Sequence, residues 1–133
     1  MATEQFNIQH SPFSNLSVGV DLVEVRRIAE LLAEHGAHFE RRVFTERELA
    51  QCRGRAEALA ARWAAKEAAA KALGTGFGPV GFTDVEVVED EAGCPHLHLH
   101  GRAADLADRL GLRQWAVSLS HDGGMALAFV AAT

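Results

Sequence analysis

Apolar and polar positions follow recognisable periods along most of the chain. The run LSVGVDLV from Leu16 to Val23 is apolar and β-rich, and the pattern then turns helical, with Val25, Ile28, Leu31 and Leu32 spaced for one face before Gly36 stops it. A strand followed by a helix is expected, with Asp21 inside the strand. Thr45 with Glu48 three residues on predicts a capping box for a short helix ending near Cys52, because each side chain satisfies an otherwise free backbone N–H. From about Arg55 to Leu73 the chain is built from the best helix formers, and Gly74 stands where a left-handed C-terminal cap belongs.

The next segment, GTGFGPVG, is rich in residues that allow unusual backbone angles and is expected to be a loop. Phe82 to Glu89 and Pro95 to His100 alternate on either side of DEAG and predict a hairpin. Arg102 to Leu110 predicts a short amphipathic helix before Gly111. Trp115 to His121 and Met125 to Val130 form a second hairpin around Asp122, Gly123 and Gly124. One early strand, a helical middle and two late hairpins predict an α+β domain, a mostly antiparallel sheet packed against a long helix and shorter helices.

Composition sharpens this picture. A chain of 133 residues, 48% of them hydrophobic, suffices for one core, so a single domain over residues 16–133 is expected behind a loose polar extension over 1–15. So short a chain buries a modest share of its surface, and a deep site is expected to borrow walls from a neighbouring subunit. The two cysteines, Cys52 and Cys94, sit in unlike contexts and predict no disulfide framework. No segment approaches the roughly 20 apolar residues that span a bilayer, and Met1 to Asn15 lacks the pattern of a signal peptide. A cytoplasmic protein without a membrane association is the expectation.

The net charge of −5 argues against non-specific nucleic-acid binding, but the charge is unevenly placed. Arg26 to Lys66 carries net +3, whereas Glu67 to Thr133 carries net −5. A basic face on an acidic protein suggests an anionic partner.

Glu67 and Lys71 lie four apart on the long predicted helix and share a face, an arrangement also common on helices that merely need solubility. Asp21 lies within an apolar strand, where a carboxylate needs donors, a cation or a strand end. Asp21 and Glu67 could supply the pair of carboxylates with which Mg²⁺ is typically held. Ser118 and Ser120 share one strand face with His121 at its end, suited to a phosphate or simply to water. A serine hydrolase is a poor fit, because His121 and Asp122 directly after Ser120 cannot easily aim at it and no G-x-S-x-G elbow exists. His96, His98 and His100 lie on one face just after Cys94 and could bind a transition metal, although a polar strand face is the commoner explanation.

Taken together, Gly19-Val20-Asp21 through Arg27-Ile28, Arg62-Trp63-Ala64-Ala65-Lys66-Glu67-Ala68, Lys71-Ala72-Leu73-Gly74-Thr75-Gly76 and Ser118-Leu119-Ser120-His121 resemble the holo-acyl-carrier-protein synthase family. The resemblance runs from about Ser17 to Ala131 and implies the 4′-phosphopantetheinyl transferase fold. It also implies transfer of the 4′-phosphopantetheine of coenzyme A to a carrier-protein serine, with release of adenosine 3′,5′-bisphosphate, by a homotrimer with sites between subunits. By this resemblance Asp21 and Glu67 are Mg²⁺ ligands, Lys71 neutralises the pyrophosphate, and deprotonation of the serine falls to Glu67 or to a water near it. Arg62, the turn Gly74, Thr75 and Gly76, Ser120 and His121 correspond to coenzyme A contacts, His121 reaching across from a neighbouring subunit. Arg26, Arg27, Arg41, Arg42, Arg47 and Arg53 match the basic surface that grips an acidic apo acyl carrier protein. The chain reads Gly93-Cys94-Pro95 where the family commonly has Gly-Lys-Pro, which removes a cation there. A non-catalytic trimer binding coenzyme A or a carrier protein is the alternative, and intact Asp21, Glu67 and Lys71 argue against it.

Overall fold

The computed structural model describes residues 15–133; the extension expected over 1–15 lies outside them except for Asn15. The first strand, β1 (Ser17–Glu24), faces two ways. Gly19 and Val23 turn inward with Ser17 and Asp21, while Val18, Val20 and Leu22 point out, Leu22 remaining 58% exposed.

Helix α1 (Val25–Val43) leaves helical geometry at Gly36, where φ is 54° and ψ −132°, as the glycine predicts. It then resumes, a continuation absent from the sequence reading, because Phe39 and Val43 lie one turn apart and both reach the core. Helix α2 (Glu46–Cys52) starts on the predicted capping box: the Thr45 N–H donates to Glu48 Oε1 at 2.9 Å and the Glu48 N–H to Thr45 Oγ1 at 3.2 Å.

Helix α3 (Ala56–Ala72) is buried on nearly every side. It ends in a Schellman motif, with the Gly74 N–H donating to Lys71 O and the Thr75 N–H to Ala70 O, both at 3.0 Å, and Gly74 at φ 77°. Such burial is possible because its faces are alanine: Ala60, Ala64, Ala65, Ala68 and Ala69 have no exposed surface.

Phe82–Asp84 forms a 3₁₀ turn instead of the start of a strand, since the Asp84 carboxylate takes the Gly81 N–H at 2.9 Å and curls the chain. Strands β2 (Val85–Glu89) and β3 (Pro95–Leu99) form an antiparallel two-stranded sheet, followed by helix α4 (Gly101–Leu110). Strands β4 (Trp115–Asp122) and β5 (Met125–Ala132) are joined by Gly123-Gly124, both at positive φ, as a type I′ turn requires. Strand β5 lies between β1 and β4 in an antiparallel sheet, so the five strands divide into two sheets around α3.

The inner face of β5 carries Ala126, Ala128, Val130 and Ala132, all buried, and its outer face carries Leu127 and Phe129. Small residues meeting small residues let β1 approach α3 very closely. A methyl group at Gly19 would sit 1.9 Å from the Ala68 carbonyl oxygen, so only glycine fits there.

Candidate functional site

That close approach positions the first group of side chains. Asp21 lies two residues beyond Gly19 and points to the same side of β1, toward α3. From α3, Lys71 Nζ donates to the Val20 carbonyl at 2.8 Å and to Asp21 Oδ1 at 3.3 Å. Glu67 stands one helical turn earlier on the same face. Burial pushes the Glu67 carboxyl above its usual range, the negative charge of Asp21 pushes it further, and Lys71 and Arg27 oppose the shift. Arg27 lies 5.9 Å from the centre of the Trp63 ring. Asp21, Glu67 and Lys71 thus come together, the charge of Asp21 disfavouring that of Glu67 beside an exposed ammonium. Such a pair attracts a hard cation or a proton.

A second group lies at the other end of α3. Arg62 and Gly74 are twelve positions apart, about 18 Å along a helical axis. The Arg62 side chain is 4% exposed, and its Nη2 donates to Gln51 Oε1 at 3.2 Å and lies 3.7 Å from Glu89 Oε2. Its buried Nε finds no partner among the described residues. Arg62 borders a cavity of about 520 Å³ with Cys94, Ser118, Ser120 and His121. His121 Nδ1 is 3.7 Å from Glu57 Oε2. An aimed but incompletely paired guanidinium beside hydroxyls and an imidazole suits a phosphate. The expected coenzyme contacts therefore split within one chain: Arg62, Ser120 and His121 border this cavity, Lys71 lies with the carboxylates, and Gly74, Thr75 and Gly76 form the turn after the end of α3. Another cavity, of about 540 Å³ between β3 and α4, includes none of these residues.

The six arginines are all exposed, but their settings differ. Arg26 pairs with Glu30 at 3.6 Å, and Arg41 and Arg42 end α1. Arg53 holds a left-handed conformation after α2. Arg47 is tied down: Nη2 donates to Glu86 Oε1 at 2.7 Å and Nε to Glu86 Oε2 at 3.2 Å. Burial alone would raise the Glu86 carboxyl, but hydrogen bonds from Arg47, Thr45 and His100 outweigh it and lower the pKa to about 2.

What the sequence did not reveal is the pairing of Lys66 with Glu48, the capping-box residue, both side chains 0% exposed. Lys66 Nζ donates to Glu48 Oε1 at 2.8 Å and to the Phe82 and Val85 carbonyls, while Glu48 Oε2 accepts the Val87 N–H at 2.8 Å. Burial pulls the Lys66 pKa down and Glu48 holds it up. This fully satisfied pair fixes α3 against α2 and β2 directly beside Glu67. The one signal in the sequence is a lysine standing among buried-type alanines.

The family model described as the 4′-phosphopantetheinyl transferase superfamily matches residues 17–130. The holo-acyl-carrier-protein synthase of Herpetosiphon aurantiacus is 51% identical over 122 residues, covering 86% of this chain and 96% of that protein. That of Chloroflexus aggregans is 52% identical over 129 residues, covering 86% and 92%. Among solved structures, the holo-acyl-carrier-protein synthase of Helicobacter pylori in complex with coenzyme A matches with a TM-score of 0.80 at 27% identity, covering 87% of this chain and 99% of that one. The synthase of Neisseria meningitidis matches with a TM-score of 0.80 at 34% identity, covering 88% and 97%.

Proposed function

The chain belongs to the 4′-phosphopantetheinyl transferase superfamily, and from that premise we propose how its residues move the 4′-phosphopantetheine of coenzyme A onto a serine of an apo acyl carrier protein. The enzyme is a phosphopantetheinyl transferase of the holo-acyl-carrier-protein synthase type. The carrier serine oxygen forms a bond to the phosphorus nearer pantetheine, and the bond to adenosine 3′,5′-bisphosphate breaks. The observation that carries the assignment of roles is the convergence of Asp21, Glu67 and Lys71 where β1 crosses α3.

Two adjacent, partly buried carboxylates, one of them with its proton affinity raised by burial and by the other, fit Mg²⁺. Asp21 and Glu67 would hold it. When bound, Mg²⁺ neutralises charge on the pyrophosphate oxygens. Lys71 is 55% exposed and can turn its ammonium toward the same oxygens as charge spreads in the transition state. Glu67, or a water held beside it, is placed to accept the serine proton.

Residues 16–133 act as one catalytic domain in this reading, and the assembly is a homotrimer. The outward ladder of Val18, Val20, Leu22, Leu127 and Phe129 supports a subunit contact, since five large apolar side chains on one sheet face remain exposed. The split of the coenzyme contacts supports a site completed by the Arg62, Ser120 and His121 cavity of a neighbouring subunit. The exposed arginines on α1 and after α2 suit the acidic carrier protein, with Arg47 contributing less because Glu86 neutralises it. No helix among the described residues is long and apolar enough to cross a membrane, and a cytoplasmic setting is part of the proposal.

The test is intact-mass analysis of an apo acyl carrier protein incubated with the enzyme, coenzyme A and Mg²⁺, beside an EDTA control. The expected result is a gain of about 340 Da that requires the metal. Glu67→Gln is expected to abolish most of that gain while preserving the melting temperature. Near-normal transfer by this variant overturns the assignment of the metal ligands, and no gain with any apo carrier favours a non-catalytic binder.

A further inference from the structure

The turn between β2 and β3 gathers a carboxylate, a thiol and an imidazole at one point. One ligand atom each from Asp90, Cys94 and His96 lie within 4.8 Å of one another. From this juxtaposition we propose a second metal centre, specific for a borderline transition-metal ion of the Zn²⁺ class and distinct from the Asp21 and Glu67 pair.

The backbone holds the three groups together. Asp90 Oδ1 accepts the N–H groups of Ala92 and Cys94, both at 2.9 Å, which fixes the carboxylate and leaves Oδ2 to meet His96 Nε2 at 2.9 Å. The Asp90 N–H donates to Cys94 O and the Gly93 N–H to Asp90 O, again both at 2.9 Å. Gly93 adopts φ 84°, and Pro95 follows the cysteine. Asp90 and Cys94 therefore close a five-residue turn, and His96 is the second residue of β3, so little backbone freedom remains to be lost when an ion binds.

The chemistry of the donors selects the ion. Sulfur and imidazole nitrogen favour Zn²⁺ and its neighbours over Mg²⁺, which prefers oxygen alone. Binding converts the exposed Cys94 thiol to a thiolate with release of its proton to solvent, after which one thiolate and one carboxylate balance the dication. Three protein ligands leave a fourth tetrahedral position for water or another exchangeable ligand. The other two histidines of this strand go elsewhere: His100 Nε2 pairs with Glu86 Oε1 at 2.9 Å, and His98 borders the cavity beside α4. Cys94 also borders the Arg62 cavity, so the centre adjoins that cavity at the position where the resembled family commonly carries lysine.

The centre requires neither coenzyme A nor transfer activity, so its test is separate. The full chain in metal-free buffer is titrated with Co²⁺ as the spectroscopic probe, followed by displacement with Zn²⁺. Wild type is expected to show a near-ultraviolet sulfur-to-cobalt charge-transfer band and the visible bands of tetrahedral Co²⁺, both saturating at one such Co²⁺ per chain and both removed by Zn²⁺. Cys94→Ser is expected to lose the sulfur band. His96→Ala and Asp90→Asn are each expected to weaken binding by roughly 10-fold or more, and His98→Ala to leave it unchanged. Cobalt held only by oxygen at Asp21 and Glu67 gives no sulfur band, and Cys52 is buried, so neither imitates the signal. Absence of the sulfur band in wild type, its survival in Cys94→Ser, full-strength binding in His96→Ala, or equal weakening in His98→Ala each overturns the proposal.

Discussion

Replacing Gly19 with alanine tests whether the approach of β1 to α3 sets the catalytic geometry. The new methyl would lie 1.9 Å from Ala68 O, 2.9 Å from Ala68 C and 3.0 Å from Ala72 N, all backbone atoms that no rotamer can move. A carbon tolerates an oxygen at about 3.3 Å at closest, so strand and helix must separate by on the order of 1 Å. Overpacking of this kind costs about 1–3 kcal/mol, which for a domain of this size lowers the melting temperature by roughly 4–12 °C. Asp21 moves with the strand while Glu67 and Lys71 stay with the helix, and a misplacement of about 1 Å at a reacting centre costs about 100-fold in rate. The assays are thermal melting by circular dichroism and initial transfer rates at saturating coenzyme A and carrier, measured well below both melting points. Adding Ala68→Gly is expected to restore neither quantity, because the clash is with a carbonyl oxygen and not with the Ala68 methyl. A Gly19→Ala enzyme within twofold of wild type in rate refutes the coupling of this contact to the site, even if its melting temperature falls.

Lys66→Met leaves Glu48 buried without its cation and is expected to cost about 3–5 kcal/mol in urea unfolding. Adding Glu48→Gln is expected to recover part of that loss, and no recovery contradicts the pairing argument. Glu86 has a folded pKa of about 2, below the ordinary 4.5. Its stabilisation is therefore complete above pH 4.5 and is lost as pH falls toward 2, because the unfolded chain takes up the proton first. Unfolding midpoints measured down that range are expected to fall less steeply in Glu86→Gln than in wild type. Arg26→Glu with Arg27→Glu is expected to raise the KM for carrier protein and to flatten its dependence on salt; an unchanged KM removes the start of α1 from the docking surface.

Local rules made most elements legible in the sequence. The Thr45 and Glu48 box, the Gly74 stop and the Gly123-Gly124 turn are each specified within a few residues, and all three occur in the fold. Segments governed by distant packing were harder to read. Phe39 and Val43 continue α1 beyond Gly36 because a core elsewhere in the chain receives them. Phe82 to Asp84 has the composition of a strand but yields to the hydrogen bond between Asp84 and Gly81. At the candidate site, Glu67 and Lys71 were visible through their spacing, whereas the pairing of Lys66 with Glu48 spans two helices and leaves no periodic trace. The histidine strand shows the same limit. Alternation places three imidazoles on one face, but His96 pairs with Asp90 and His100 with Glu86, while His98 and His100 border the α4 cavity.

The alanine surface of α3 also constrains how the gene can change. A single base substitution in an alanine codon yields glycine, valine, serine, threonine, proline, aspartate or glutamate. At Ala60, Ala64, Ala65, Ala68 and Ala69, which have no exposed surface, all of these except glycine add atoms to a filled space. Glycine instead costs about 1 kcal/mol of helix propensity. Mild-looking missense changes on this helix are therefore expected to be purged about as strictly as changes to the charged site residues. Its small side chains leave neutral drift almost no single-step exits.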